Sequence, residues 1–472
     1  MKKFWEKHDL FKVAGIMVII TVLMTWVIPQ GYFQNEFTIG EITRVSLFDF
    51  INYGLLGMNF FTVLVTLVFV LGGFYQVLSK SGGYQKLTES IAKKFKGKEI
   101  LFVVFVSFII AALSAVMTEY MVVLVFIPFF ITIISKMKLD KITGFVTTFG
   151  SILVGVLGSV YTEKIAGANY QFLGSEFGSL IWWKIGIFVA AFVIFNIFNI
   201  LHVKKVLKDR KAEEIKDVFE ATDVTKKNKV WPVVLILSLF VIVSILAYLP
   251  WESIFKVTLF ADLATKMTEF KLFGSPIFAY FFGQQSAQGV IAAFGKWDLF
   301  GIQILMLISA LFIKWVSNIK SDEFFSAFGE GFLKTGKMVI LMLMAYLVLE
   351  FAYMYSVIPV IVDWIMNLAS KFNVLLAVIS GTFASLFTVE YQYTLSLVGG
   401  YLVNSYPTMS NQLALLLQST FGLALLITPA SAILLMGLSY CNVTYKDWFK
   451  YIWKYLLIMF FIIVAVMLIV TK

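Results

Sequence analysis

Long apolar runs separated by short lysine-rich or polar segments set the pattern of this chain. The runs are about 17 to 25 residues long, the length a helix needs to cross roughly 30 Å of hydrocarbon. By that rule the sequence predicts spans at Phe11–Pro29, Met58–Leu78, Ile142–Tyr161, Leu180–Leu201, Trp231–Leu249, Leu299–Val316, Lys337–Phe351, Gln412–Met436 and Tyr451–Val470. The short alternating segments of a membrane β-barrel are missing. The expected fold is an all-α polytopic membrane protein.

One apolar stretch does not fit a single crossing. Ile100–Ile134 has lysine-rich segments at both ends, "KSGGYQKLTESIAKKFKGKE" (Lys80–Glu99) and "SKMKLDK" (Ser135–Lys141). Lysine-rich loops stay cytoplasmic, so both ends belong on one face. The pattern therefore predicts a re-entrant hairpin over 100–134, with two half-depth arms and its tip at "SAVMTEY". That tip carries Glu119. A charge at that depth costs about 3 kcal/mol on insertion scales, so one that is kept there is expected to face a partner, a cavity or a pathway.

The chain carries a second copy. "TTFGSILVGVLGSV" (Thr147–Val160) aligns with "STFGLALLITPASA" (Ser419–Ala432), and at almost the same offset "MTEYMV" (Met117–Val122) aligns with "TVEYQY" (Thr388–Tyr393). Glu390 is thus the counterpart of Glu119. Its segment has lysine-poor flanks, so its hairpin is expected to open outward. The expected organisation is two inverted repeats, each with a re-entrant hairpin and a discontinuous transmembrane helix. The first repeat covers 1–202, with its hairpin at 100–134 and broken helix at 142–165. A charged cytoplasmic loop (203–230) and a linking helix with an outer segment (231–298, including "FGQQSAQG") follow. The second repeat covers 299–472, with an outer-side hairpin at 373–405 and a broken helix at 412–436. Gly150, Gly155, Gly158 and Pro429 are the candidate breaks, since glycine and proline weaken a helix and free its amides and carbonyls.

Composition agrees with the membrane reading: 60% of residues are hydrophobic and 14% charged, too apolar for a soluble core. The formal charge of +10 resides in loops expected to be cytoplasmic, which argues against a nucleic-acid partner. The basic start "MKKFWEKHDLFK" precedes an apolar run that ends "TWVIPQGYF", without the small residues of a cleavage site. A retained first helix, a cytoplasmic N-terminus and a cell-membrane location are expected. A single cysteine, Cys441, excludes an internal disulfide framework. His8 and His202 stand at helix margins, and there is no HExxH and no Ser-His pair at depth. The sequence therefore nominates no catalytic residue, no metal site and no cofactor.

"WVIPQGYF" (Trp26–Phe33), "VLGGFYQVLSKSGG" (Val70–Gly83) and "VTYKDWFKYI" (Val443–Ile452) resemble the YfcC family, the C4-dicarboxylate anaerobic carrier-like proteins of the ion transporter superfamily, whose members include carriers read as basic amino acid antiporters. The resemblance runs in order along nearly the whole chain. It implies a secondary transporter with two hairpins, two discontinuous helices and a homodimer. The chain departs from the family pattern at both tips, with Thr118-Glu119-Tyr120 in place of an acidic pair and "TVEYQYT" in place of a small Ser/Gly-rich tip that keeps Gln392. The family's Asn-Pro break is also absent from "GVLGSVYTEK".

Chemistry then bears on the cargo. Two carboxylates meeting from opposite hairpins repel a dianion and attract an ammonium or guanidinium, so a cationic amino acid fits best. Its carboxylate needs donors, for which Ser114, Thr118, Ser159, Thr420, Thr428 and Ser431 are candidates, with Tyr120, Tyr391 and Tyr393 as an aromatic wall. Each tyrosine also has the plainer reading of packing. Glu163, beside Lys164, and Glu350 read as interfacial charges with a lesser claim on the site. Exchange of two amino acids, proton coupling at a glutamate and sodium coupling all remain open on sequence alone. The rival cargo is a C4-dicarboxylate or other small carboxylate. A channel or a membrane enzyme is the rival of a different class.

Overall fold

A computed structural model describes residues 9–33, 36–160, 162–209, 213–220, 229–276 and 292–472. His8, Tyr161 and "FGQQSAQG" lie outside these residues. The described residues are mostly helical, and among them eight helices are long and apolar enough to cross a membrane. The chain is an all-α polytopic membrane protein.

The first half opens with α1 (Asp9–Val27), a short β-hairpin (Gly31–Phe33 with Phe37–Ile39), α2 (Leu47–Phe60), α3 (Thr62–Lys80) and α4 (Gly82–Lys94). Next come α5 (Glu99–Val116), a 3₁₀ turn (Tyr120–Phe126) and α6 (Ile127–Lys136). A helix follows in pieces: α7 (Lys141–Phe145), a π-helical stretch (Val146–Gly150), α8 (Ser151–Leu157) and, after an interruption, α9 (Glu163–Leu173). α10 (Ile181–Asp209) closes this half, and α11 (Val230–Tyr248) and α12 (Leu259–Glu269) connect it onward. The second half holds α13 (Leu299–Val316), α14 (Ser321–Met354), α15 (Ile358–Met366), α16 (Val374–Ser385), α17 (Tyr391–Ser405), α18 (Ser410–Leu425), α19 (Ala432–Tyr440) and α20 (Tyr445–Val470).

Several expected boundaries shift. The span expected at Lys337–Phe351 is part of α14, whose 34 residues are about 51 Å long, more than the roughly 30 Å of a bilayer's hydrocarbon. α2, α4 and α15 lie largely outside the expected spans, each too short to cross a bilayer. α2 is started by a capping box between Ser46 and Asp49 and shows Leu47, Phe48, Ile51 and Leu55 to the surroundings. α4, expected as a lysine-rich loop, turns Tyr84, Thr88 and Ala92 inward and its lysines outward.

Close packing follows the small residues. A side chain on Gly72 of α3 would collide with the Gly331 carbonyl of α14, and one on Gly331 would collide with Gly72. The two backbones touch, as membrane helices do where glycine permits. Gly422 of α18 likewise lies against Leu157, so the two interrupted helices cross where each is about to break.

The two hairpins enter from opposite faces. Lys96 and Glu99 at the start of α5 line the same surface cavity as Lys136 and Lys138 at the end of α6, so that hairpin both starts and ends on the lysine-rich face. At the other hairpin, Phe372 before α16 packs edge-on against Tyr406 after α17, with ring centroids 4.9 Å apart. Its base touches the β-hairpin that follows α1, through Phe37 on Tyr401 and Phe33 on Gly400. α1 begins beside Tyr445 on the lysine-rich face, where Asp9 accepts the Tyr445 amide, so its far end and that base lie on the other face. The arms are not half-depth as expected: α5 has 18 residues, about 27 Å, and the Thr118 amide beyond its end donates to the carbonyl of Tyr248, the last residue of α11.

Candidate functional site

Both hairpin tips end in a glutamate at the start of the returning arm. Glu119 precedes the 3₁₀ turn and accepts the Met121 amide on Oε1 at 3.1 Å, while Glu390 precedes α17. A helix start favours a negative charge there. The cation between them is the protein's own. Lys164 Nζ lies 2.9 Å from Oε2 of Glu119 and 2.9 Å from Oε2 of Glu390. The two carboxylate oxygens are therefore no more than twice that distance apart. Lys164 is the second residue of α9, directly after the first interruption, so both hairpins and a broken helix meet in one ion triad.

Around the triad stand hydroxyls. Tyr120 is buried and within electrostatic reach of Lys164 and both carboxylates. Tyr346 of α14 is within electrostatic reach of both carboxylates, its ring stacked on Phe61, and its buried hydroxyl has no hydrogen-bond partner among the described residues. The Thr118 hydroxyl is likewise buried and unpartnered. Buried donors left unpaired cost about 1 to 3 kcal/mol each, so their placement suits a ligand or water.

A cavity of about 570 Å³ reaches this group, lined by Val63, Thr118, Glu119, Glu163, Lys164, Lys296, Trp297 and Asp298. Its rim is formed by the starts of α3 and α13, so it opens on the face opposite the lysine-rich segments. Toward the lysine-rich face the path is filled. Phe145 packs edge-on against Trp448, and the 213–219 segment buries Ile215 and Phe219 while Thr132 and Ser135 of α6 donate to Asp217 and Ile215. Beside it Asp140, which takes a 2.9 Å contact from His202, is buried, yet hydrogen bonds from His202 and Thr143 outweigh the burial and hold its carboxyl below the usual aspartate value.

The remaining nominated residues do other work. Ser114 donates within its own helix to Ile110, and its Cβ lies where a side chain on Gly155 would fall, so the pair packs α5 against α8. Thr420 does the same in the second half, donating to Leu416 and lying against Gly381. Gly155 is thus a packing glycine and Gly150 ends the π-helical stretch; the interruption itself falls at Gly158, which caps α8. Pro429 sits in the second interruption, between α18 and α19. The polar groups at these interruptions are engaged. Gln418 donates to the Ser159 carbonyl, the Ser159 and Thr162 hydroxyls pair, Thr428 donates to the Leu386 carbonyl, and Ser431 caps α19.

Tyr391 turns away from the triad and donates to Asn169 Oδ1 of α9 at 2.6 Å. That bond clamps the helix carrying Lys164 to the helix following Glu390. Gln392 hydrogen-bonds Tyr393, whose ring meets Tyr353. Glu163 lines the cavity beside Lys164, and Glu350 is buried about one turn before the end of α14, against Gly57 of α2. Sequence reasoning missed Lys164, Asn169 and Tyr346. Lys164 had a signal: an isolated lysine among "YTEKIAGANY", far from the lysine-rich segments, runs against the charge bias of the other loops. Among the described residues no group of His, Cys, Asp and Glu side chains is placed to hold a metal ion.

No curated protein matches this chain. It is similar in structure to the Alcanivorax borkumensis YdaH transporter, whose crystal structure has an unusual topology, at 14% identity over 97% of each chain and with a TM-score of 0.42. The family model of DcuC, the C4-dicarboxylate anaerobic carrier, matches residues 8–389 and 408–472. The chain belongs to the DcuC family and is a membrane transporter.

Proposed function

We propose that this transporter carries cationic amino acids such as arginine, ornithine or lysine, the cargo to which two facing carboxylates point. One observation carries the reading: the site holds two carboxylates and one ammonium, a formal charge of −1. A singly positive amino acid brings that to zero, and its own carboxylate and cation match the site's two kinds of group. A dianion would face two glutamates with a single lysine. Net charge in a low-dielectric site is costly, so the neutral combination is favoured.

The family name favours a second cargo, a C4-dicarboxylate, with Lys164 and the start of α9 as its anchor. Charge separates the two. The hairpins and interrupted helices would move as a transport unit against α3, α13 and α14 in an elevator-type alternation, the two halves acting as inverted copies within a homodimer. The lysine-rich face and the N-terminus are assigned to the cytoplasm of the cell membrane. Counterflow of labelled arginine, ornithine or lysine in proteoliposomes tests the cargo. Saturable counterflow abolished in Glu119→Gln with Glu390→Gln supports it; succinate uptake indifferent to all three overturns it.

A further inference from the structure

We infer that Lys164 is a tethered stand-in for the cargo's cation, and that its displacement makes the site select for cargo that also carries a carboxylate. The inference rests on the cationic-cargo reading. In the present arrangement Lys164 donates to Oε2 of both glutamates, while Oε1 of Glu119 is already taken by the Met121 amide. A cargo ammonium that bridges the two carboxylates as Lys164 does needs the position its Nζ occupies, and two like charges repel there. Lys164 must therefore leave at least one of the carboxylates.

Room and freedom for that exist on one side. Lys164 is the most exposed member of the triad, its side chain 29% exposed against 14% for Glu119 and 9% for Glu390. It follows the interruption at 158–162 and borders the cavity shared with Thr118, Glu163 and Asp298. A displaced ammonium is costly unless it finds a new partner. Of the other carboxylates on the cavity wall, Asp298 already accepts the Phe300 and Gly301 amides, and Glu163 is the preceding residue of α9, where adjacent side chains do not face each other. The α-carboxylate of an amino acid supplies one, so partners are exchanged one for one and the total charge is zero. The decarboxylated amine supplies none. A diamine would take both glutamates, strand Lys164 and leave the site positive.

The test compares lysine with 1,5-diaminopentane, the same molecule without its carboxylate, by direct binding to the purified full-length protein in detergent. The wild type should bind lysine at least tenfold more tightly than the diamine. Lys164→Met should bring the two affinities within about threefold or invert their order, while Lys164→Arg should keep the preference. Should Lys164→Met fail to fold with two unpaired carboxylates, Lys164→Met with Glu119→Gln carries the same expectation. A preference unchanged in the lysine-free variant that folds, in protein that binds lysine, overturns this role alone. A wild type that binds neither molecule overturns the cargo reading and this role with it.

Discussion

Lys164 of α9 and Glu390 at the second hairpin tip meet at 2.9 Å, joining the two halves of the chain through a charge pair at the inner end of a cavity. The same ammonium is held by Glu119, so neither glutamate presents a bare charge to apolar surroundings. With two carboxylates on one ammonium, removing either carboxylate leaves Lys164 paired with the other, which sets the first expectation.

Glu119→Gln and Glu390→Gln should each fold, because Lys164 keeps one carboxylate. Each should lower the affinity for a cationic amino acid by tenfold or more. Titration calorimetry on purified variants measures this; wild-type affinity in both would remove the glutamates from the site.

Tyr391→Phe should lower stability by about 1 to 3 kcal/mol, since it leaves Asn169 Oδ1 buried without its donor beside an Nδ2 that has no acceptor among the described residues. The denaturation midpoint in detergent reports it. An unchanged midpoint would mean that the clamp between α9 and α17 contributes nothing.

Gly72→Val should prevent α3 and α14 from touching, because a side chain there meets the Gly331 carbonyl. Overpacking of this kind costs about 1 to 3 kcal/mol or more. Size-exclusion chromatography should show a loss of monodisperse protein.

Asp140 sets a pH dependence. Its carboxyl is held below the aspartate value of 3.8, so its stabilising contribution is complete above that value and is lost as pH falls below it through the lowered folded value. Asp140→Asn should lower the midpoint at neutral pH and make it less sensitive to acid in that window. A variant with the wild-type acid profile would contradict the assignment.

Much of this architecture can be read from the sequence because the bilayer imposes length and charge rules on every span. Glu119 and Glu390 stood out for the same reason: a carboxylate within an apolar run is conspicuous. Lys164 did not, since a lysine next to Glu163 near a helix end looks like an interfacial pair, and only the fold brings it to tips far away in sequence. Ser114 and Thr420 show the opposite difficulty. A buried hydroxyl that satisfies its own helix and packs on a glycine looks, in sequence, like one awaiting a ligand. α2 and α4 were hidden because amphipathic helices lying along a membrane protein lack the composition of a span.

The most direct test of the central claim is the sign of the charge that the site prefers, read by binding of arginine and of succinate to wild-type protein and to Glu119→Gln. The account predicts that the wild type binds arginine and not succinate, and that the substitution weakens arginine binding. Succinate binding in the wild type that tightens when the carboxylate is removed would contradict it.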